Sequence, residues 1–500
     1  MTKFLHYSLL FILVAAPFAF GAVEPWAYGL MNALALGLLL LWSLERLWKK
    51  DLPPIAFPKT LMFMLGFLAV ALLQLVRLPA AVVGFLSPAH ISFLRQMNLG
   101  AFDSATTGSA TLSLDPYLTS LAVVNLVCLL IYLFLFVQML NQSAAQVRVE
   151  VDSASRHANS AVAAGENEEH SEQDSSEEAS EEGSRHHWRR ESTPPFLTIL
   201  VFTIIIAGFV MALFGILEKL SGAKEIYWVR TLTHGGNLMG PFVNRDHFAG
   251  WLEMPFGLTL GLILFLRRRV PYWWLLAFSA VLMGTAILYS GSRGGMLCFA
   301  FQLVSAAILA FSTNEFNFSD SSFSLQAWRD SVRAFAPLLV IAGILVAVVL
   351  SIAYVGPDAV LGRLQDQLSA DQRLPVWHDT LGIVKAYPLL GSGLGSFRTI
   401  FPHFQNHDYA SRYLQAHNDY LQLLSETGIV GALLALAALF AVLTSGFLNC
   451  FHGSRFSIGA RLGAILGILG LLLHSFFDFN LQIPSNALMF LVLCAVCLFR

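Results

Sequence analysis

Five short segments of this 500-residue chain concentrate side chains able to hold an anion or move a proton. The first, Gly240 to Glu253, places Asn244, Arg245, Asp246 and His247 where a helix should start. Free backbone amides and the positive dipole end at such a start favour anions. Glu253 falls about two turns further in, where an acid among apolar residues calls for a partner; Arg245 or Arg293 is the expected one. The second segment, Tyr289 to Leu297, surrounds Arg293 with glycines that permit close backbone approach or simply form a short hairpin. The third, Arg373 to Phe397, contains Gly391, Gly393 and Gly395. No Walker lysine follows and no strand precedes, so these glycines read as tight turns in a re-entering amphipathic loop, not a nucleotide site. In the fourth, His417 and Asn418 precede a helix, with Tyr420, Leu421 and Leu424 on the histidine's face. Imidazole is the side chain best suited to proton transfer near neutrality. In the fifth, His474 and Asp478 are four residues apart, a spacing that lets a carboxylate orient an imidazole or cap a helix end. His403 and His407 share that spacing, but no HExxH pattern surrounds them and no third ligand is evident, so no metal site is expected. The chain has neither an Asp-x-Asp nor a G-x-S-x-G elbow.

The elements that must position these groups follow from composition. Hydrophobic residues make up 56% of the chain and charged ones 12%, against roughly a quarter charged in soluble domains. That balance excludes a water-soluble enzyme and an extracellular disulfide scaffold. The five cysteines, Cys128, Cys298, Cys450, Cys494 and Cys497, sit mostly in apolar runs and read as packing residues. A hydrocarbon core about 30 Å thick takes about 20 apolar residues per helix. About twelve such runs are centred near Ile12, Leu36, Phe67, Leu129, Ala207, Leu258, Phe278, Leu303, Ile344, Leu436, Ile468 and Leu491. The first reads as an uncleaved span, not a secretory signal, because a second helix follows closely.

Charge adds the orientation. The stretch Glu150 to Glu182 holds eleven acidic residues and one basic residue, Arg156. Without it the chain keeps 29 Lys+Arg and 21 Asp+Glu, a net +8. Arg46 with Lys49 and Lys50, Arg185 with Arg189 and Arg190, Arg267 to Arg269, Arg329 with Arg333, and Arg455 with Arg461 fall on alternate loops, which are therefore cytoplasmic. Both termini are then cytoplasmic. The outer side receives Arg245, Arg293, Arg363, Arg373, Arg398 and Arg412, where positive charge is usually depleted; these suit an anion, or are ordinary loop arginines. The expected organisation is spans 1–4 in residues 1–140, an acidic disordered cytoplasmic linker in 141–195, spans 5–9 in 196–355, a large outer loop in 356–419, and spans 10–12 in 420–500.

Asn244-Arg245-Asp246-His247-Phe248-Ala249-Gly250, Ser292-Arg293-Gly294-Gly295, Arg373 with Trp377, Pro388-Leu389-Leu390-Gly391 with Gly393-Leu394-Gly395, and His417-Asn418-Asp419-Tyr420-Leu421 together resemble the O-antigen ligase and polymerase family. His474-Ser475 with Asp478 and Gln482-Ile483-Pro484 is similar to the family's closing motif. The resemblance runs from about residue 200 to the end; the first four spans match in hydropathy alone, and the acidic linker departs from the usual pattern. It implies an all-α, GT-C-like integral membrane protein of the bacterial inner membrane, with a large periplasmic loop between helices 9 and 10. The implied activity is a metal-independent glycosyltransferase of lipopolysaccharide or surface polysaccharide synthesis, moving a glycan from undecaprenyl diphosphate to an acceptor hydroxyl at the periplasmic face. Within that activity Arg245, Arg293 and Arg373 are expected on the diphosphate, His417 as general base with Arg293 as its catalytic companion, and Asn244, Glu253, Asn418, Tyr420, His474 and Asp478 in support. No cofactor and no nucleic acid is expected. The acceptor stays open among lipid A-core, another glycan and a protein hydroxyl, the last making a protein O-oligosaccharyltransferase. From a different class, a transporter or flippase of polyprenyl-linked glycans also places ionisable groups in membrane helices, but at mid-bilayer and in paired repeats.

Overall fold

The computed structural model describes residues 1–49, 52–96, 109–165, 193–231, 239–266, 273–313, 342–346, 350, 373–409 and 412–499. In chain order the helices are α1 (Thr2–Phe18), α2 (Pro25–Trp48), α3 (Thr60–Leu73), α4 (Ala80–Leu86), α5 (Pro88–Gln96), α6 (Pro116–Gly165), α7 (Pro195–Leu220) and α8 (Arg245–Leu266). They continue with α9 (Trp273–Ser290), α10 (Arg293–Thr313), α11 (Arg373–Ala386), α12 (Phe397–Ile400), α13 (Asp419–Asn449), α14 (Arg455–His474) and α15 (Pro484–Leu498). Eight of them, α2, α6 to α10, α13 and α14, are long and apolar enough to cross a membrane, and α1, α3 and α15 are shorter apolar helices. Helix is the conformation that lets an apolar run satisfy its own backbone where no water can. The chain is thus an all-α, multi-pass membrane protein.

The span expected near Ile344 lies outside the described residues, apart from a helical stretch at 342–346. So do the arginines at 185, 189, 190, 267–269, 329, 333 and 363 and most of the acidic stretch. The segment expected to be disordered from Asn141 starts otherwise: α6 continues through it to Gly165. Residues 141–164 contain neither glycine nor proline, so nothing in them stops the helix.

The core is organised by α8, which is buried along almost its whole length. It lies against α14, antiparallel, along a seam of small residues. A Cβ built on Gly261 would fall 2.3 Å from the Gly459 carbonyl oxygen, and one on Gly257 2.5 Å from the Gly467 nitrogen. Glycines four apart on both helices, Gly257 and Gly261 on one, Gly459, Gly463 and Gly467 on the other, let the backbones touch. This contact fixes what happens at the end of the bundle where α8 begins and α14 stops.

At that end the chain builds a small cap with its own apolar centre. Val376, Ile383, Tyr387, Phe397, Phe401 and Ala416 are buried there, with Phe93 of α5 and Leu114 packed against them. The cap therefore joins two distant parts of the sequence, Ala89 and Phe93 with Leu114 from one and residues between Val376 and Ala416 from the other. It carries α11 over the starts of α8 and α13.

Candidate active site

Arg245 and Arg293 are the first residues of α8 and α10, and Arg373 is the first described residue of α11. A guanidinium at a helix start adds its charge to the free amides and the positive dipole end. The three helices meet at this end of the bundle. Arg373 Nη2 lies 3.3 Å from Asp246 Oδ2, so α11 is tied to the first turn of α8. Arg245 is buried, its Nη1 beside the Gly291 turn that leads into α10. Gly294, next to Arg293, lies against the His474 ring. Asn244 caps α8, its Oδ1 accepting from the Asp246 amide at 2.9 Å. Arg398 and Arg412 are elsewhere on the cap, where Arg412 donates to the Arg398 carbonyl at 3.4 Å.

His417 stands at the centre of this rim. Its Nδ1 is 3.0 Å from Asp478 Oδ1, and its side chain is 25% exposed while the carboxylate is fully buried. Its φ is +49°, a left-handed conformation that a residue with a Cβ rarely adopts. The surroundings hold it there. Gln422 Oε1 accepts from the Ala416 amide at 2.9 Å, and the Trp377 indole donates to the His417 carbonyl at 3.3 Å. Phe479 and Tyr413 flank the ring edge-on. Asn418 caps α13 through the amides of Tyr420 and Leu421, and its amide group donates to the Phe476 carbonyl at 3.1 Å. Asp419 accepts from Ser475 Oγ at 2.9 Å, and Tyr420 donates to the Leu472 carbonyl at 2.6 Å. The start of α13 is thereby bound to the end of α14, which sets His417 over Asp478.

Two expected partnerships are corrected. His474 and Asp478 do not pair through their spacing of four, because α14 ends at His474 and the chain turns before Asp478. Asp478 instead orients His417. His474 turns inward, with its Nδ1 2.8 Å from Glu253 Oε1. Glu253 accordingly takes an imidazole partner where an arginine was expected. The reason is the glycine seam, which leaves the end of α14 directly against α8.

His247, one residue from the Asp246–Arg373 contact, is a site residue that the sequence did not rank. Its Nε2 is 3.9 Å from Asp478 Oδ2, and its ring meets Phe479 edge-on. Burial alone would raise the Asp478 carboxyl. The His417 hydrogen bond, with His247 and Arg373 nearby, outweighs that and holds it well below the usual carboxylate range. Among the described residues, Asp478 Oδ2, His247 Nε2 and Glu253 Oε2 are buried without a hydrogen-bond partner. Three such atoms in one cluster are expected where polar groups are reserved for a ligand or for proton movement.

A sequence model of the O-antigen ligase family matches residues 278–436. That stretch is similar to an O-antigen ligase domain. The matched stretch contains Arg293, Arg373, His417, Asn418 and Tyr420, while the fold brings Arg245, His247, Glu253, His474 and Asp478 to it from outside. No curated protein matches the chain.

The glycine loop of the matched stretch does cradle an acid, but one of its own. Gly391, Gly393 and Gly395 all have positive φ. The Gly395 and Phe397 amides donate to the Glu426 carboxylate at 2.8 and 3.2 Å. Gln74 of the neighbouring segment donates to the carbonyls of Leu390 and Glu426 and accepts from the Leu394 amide. The loop is thus a fastener between cap and membrane helices, with Glu426 where a phosphate loop would hold its anion. Neither Gln74 nor Glu426 was marked by any sequence motif.

Among the described residues, three groups of side chains converge closely enough to hold a metal ion: Glu253, Cys298 and His474; Asp246, His474 and Asp478; and His378, Asp379 and His407. The first two share His474, whose Nδ1 is committed to Glu253. The third lies on the cap. His403, the spacing partner of His407, is not in it; its ring packs edge-on against Phe93.

Proposed function

We propose that the protein transfers a glycan from undecaprenyl diphosphate to an acceptor hydroxyl, at the periplasmic face of the bacterial inner membrane, as an O-antigen ligase or polymerase. The observation that carries this reading is the partly exposed His417 imidazole, oriented by a buried carboxylate, beside the helix starts that carry Arg245 and Arg293 and the helix that carries Arg373. With Nδ1–H donating to Asp478, the Nε2 lone pair is left to accept a proton from the incoming hydroxyl. The acceptor oxygen then bonds to the anomeric carbon as the bond from that carbon to the phosphate oxygen breaks. The electron pair leaves with undecaprenyl diphosphate, and the hydroxyl proton stays on His417 until solvent or the departing phosphate takes it. Direct displacement of this kind inverts the anomeric configuration.

Arg245, Arg293 and Arg373 meet the charge that develops on the diphosphate. Arginine forks match phosphate oxygens and stay charged throughout, and cations fixed before reaction are often the largest catalytic contribution. Asp246 positions Arg373, and Asn244, Asn418 and Tyr420 hold the helix starts. Glu253 and His474 brace the floor of the site. An apolar cavity of about 490 Å³ supports a lipid-linked donor. It is lined by Phe67, Leu129, Leu130, Leu436 and Leu439, with Asp419 and Tyr420 at its edge, so it reaches the same helix start that carries His417.

The test is turnover of a defined lipid-linked glycan by membranes containing the protein, with candidate acceptors offered together and products read by mass spectrometry. His417→Ala is expected to lose about 10²- to 10⁴-fold, the range for a positioned general base. Near-normal transfer by both His417→Ala and Arg293→Ala sinks the proposal. Movement of the donor across a bilayer without transfer would point to a carrier instead.

A further inference from the structure

The cap holds a second constellation that glycan transfer does not use. We infer that His378, Asp379 and His407 form a binding site for a divalent transition-metal ion of the zinc type, clamping α11 to the segment that follows α12. Asp379 Oδ1 lies 3.0 Å from His407 Nδ1 and 3.4 Å from His378 Nδ1. All three ligand atoms are within 4.8 Å of one another. Zinc bonds to nitrogen and oxygen of about 2.0–2.2 Å in a tetrahedron put neighbouring ligand atoms about 3.3 Å apart. The two separations from Asp379 bracket that value, and the imidazole nitrogens lie within 4.8 Å of each other.

The ligand chemistry agrees with the geometry. Two imidazoles and one carboxylate suit zinc and its neighbours better than calcium or magnesium, which favour all-oxygen shells. Asp379 is fully buried, whereas His378 and His407 are 72% and 42% exposed. The carboxylate is therefore a fixed base, and the outer face stays open for water as a fourth ligand. Its other oxygen is already held: Asp379 Oδ2 accepts from the Tyr409 hydroxyl at 2.7 Å and from the Asn406 amide at 2.9 Å. A ligating carboxylate is oriented in this way by an outer shell of donors. Two imidazole nitrogens aimed at one carboxylate oxygen also allow plain hydrogen bonding, with both rings protonated at Nδ1. The metal instead requires both Nδ1 atoms to present lone pairs.

The position gives the site a consequence. Trp377, which donates to the His417 carbonyl, immediately precedes His378, and Arg373 lies on the same helix. A metal bridging α11 to His407 would stiffen the element that presents both groups to the rim. Binding itself does not depend on the transfer reaction and is measured without it.

The experiment uses the full chain in detergent, stripped with a chelator, dialysed against Zn²⁺ and counted by elemental mass spectrometry, with affinity from competition against a chromogenic chelator. One Zn²⁺ per chain is expected for the wild type and for His403→Gln, and none for His378→Gln or His407→Gln. Tyr409→Phe should keep the stoichiometry with about 10- to 100-fold weaker binding, the range for loss of an outer-shell partner. X-ray absorption at the zinc edge should then report two imidazoles. His378 is largely exposed, so its replacement tests the site without threatening the fold. Wild-type protein that binds no Zn²⁺, or variants at 378 and 407 that keep it, overturns the inference. So does loss of binding in His403→Gln with retention in His378→Gln.

Discussion

Two histidine–carboxylate pairs share one end of the helix bundle, and water reaches only one of them. His474 and Glu253 sit 2.8 Å apart with side chains 1% and 0% exposed. His417 and Asp478 sit 3.0 Å apart, and here the ring is 25% exposed. The chemistry of the two contacts is the same; the backbone around them is not. His474 ends a long helix pinned by the glycine seam, whereas His417 occupies a left-handed turn held by Gln422, Trp377 and Asn418. A buried pair of this kind costs much to break because either partner alone is an uncompensated polar group. A pair with one open nitrogen can instead exchange a proton with a substrate. On the proposed function, the first pair is structural and the second reactive.

The strongest way to break that division is through the rim pair. Asp478→Asn should lower transfer by about 10²- to 10⁴-fold, as should His417→Ala, and the double variant should be little worse than either, because the two act as one unit. Additive losses in a turnover assay would mean that the residues work separately. Next in size is the floor. Glu253→Ala should cost about 3–5 kcal/mol of stability, the range for stripping one partner from a buried pair, read as a lowered melting midpoint in detergent. Glu253→Gln, which keeps an acceptor for His474, should lose much less. An unchanged melting midpoint in Glu253→Ala would remove the structural assignment. Arg373→Lys should lose about ten-fold in kcat/KM, about one charge-assisted hydrogen bond, because a point charge reproduces neither its contact to Asp246 nor a forked grip on phosphate.

The smallest effect concerns acid. Asp478 is held below its ordinary value, so its contribution to stability is fully present above the unfolded carboxylate value of about 4 and is lost only as pH falls through the lower folded value. The melting difference between wild type and Asp478→Asn should therefore be constant near neutrality and shrink only under stronger acid. A difference already lost at about pH 6 would contradict the depressed carboxyl.

Much of the site could be read locally. Asn244 to His247 and His417-Asn418 announced helix starts, because caps and charges at a helix start are properties of a few consecutive residues; the helix that begins at Arg293 was read as a glycine turn or short hairpin. Eight of the expected spans, those near Leu36, Leu129, Ala207, Leu258, Phe278, Leu303, Leu436 and Ile468, followed from hydropathy for the same reason. What stayed hidden were pairings across distance. Glu253 and His474 are 221 residues apart, and His417 and Asp478 are 61 apart. The i,i+4 argument for His474 and Asp478 assumed that the helix continued, and it stops between them. His403 and His407 failed as a pair in the same way, since the chain there is a short turn and His407 faces Asp379 on another element. One signal was present and unread: glycines repeat every four residues from Gly459 to Gly467, matched by Gly257 and Gly261.

That repeat has a mechanical consequence. Where two helices touch through their main chains, no rotatable group lies between them to absorb a change in spacing. Stretching or thinning the surrounding lipid should therefore tilt α8 and α14 together as one rigid strut, leaving the separation of Glu253 and His474 the same in thick and thin bilayers. Any opening that admits a bulky saccharide must then come from the cap, whose fastening at Gln74 and Glu426 relies on hydrogen bonds that can be exchanged one at a time.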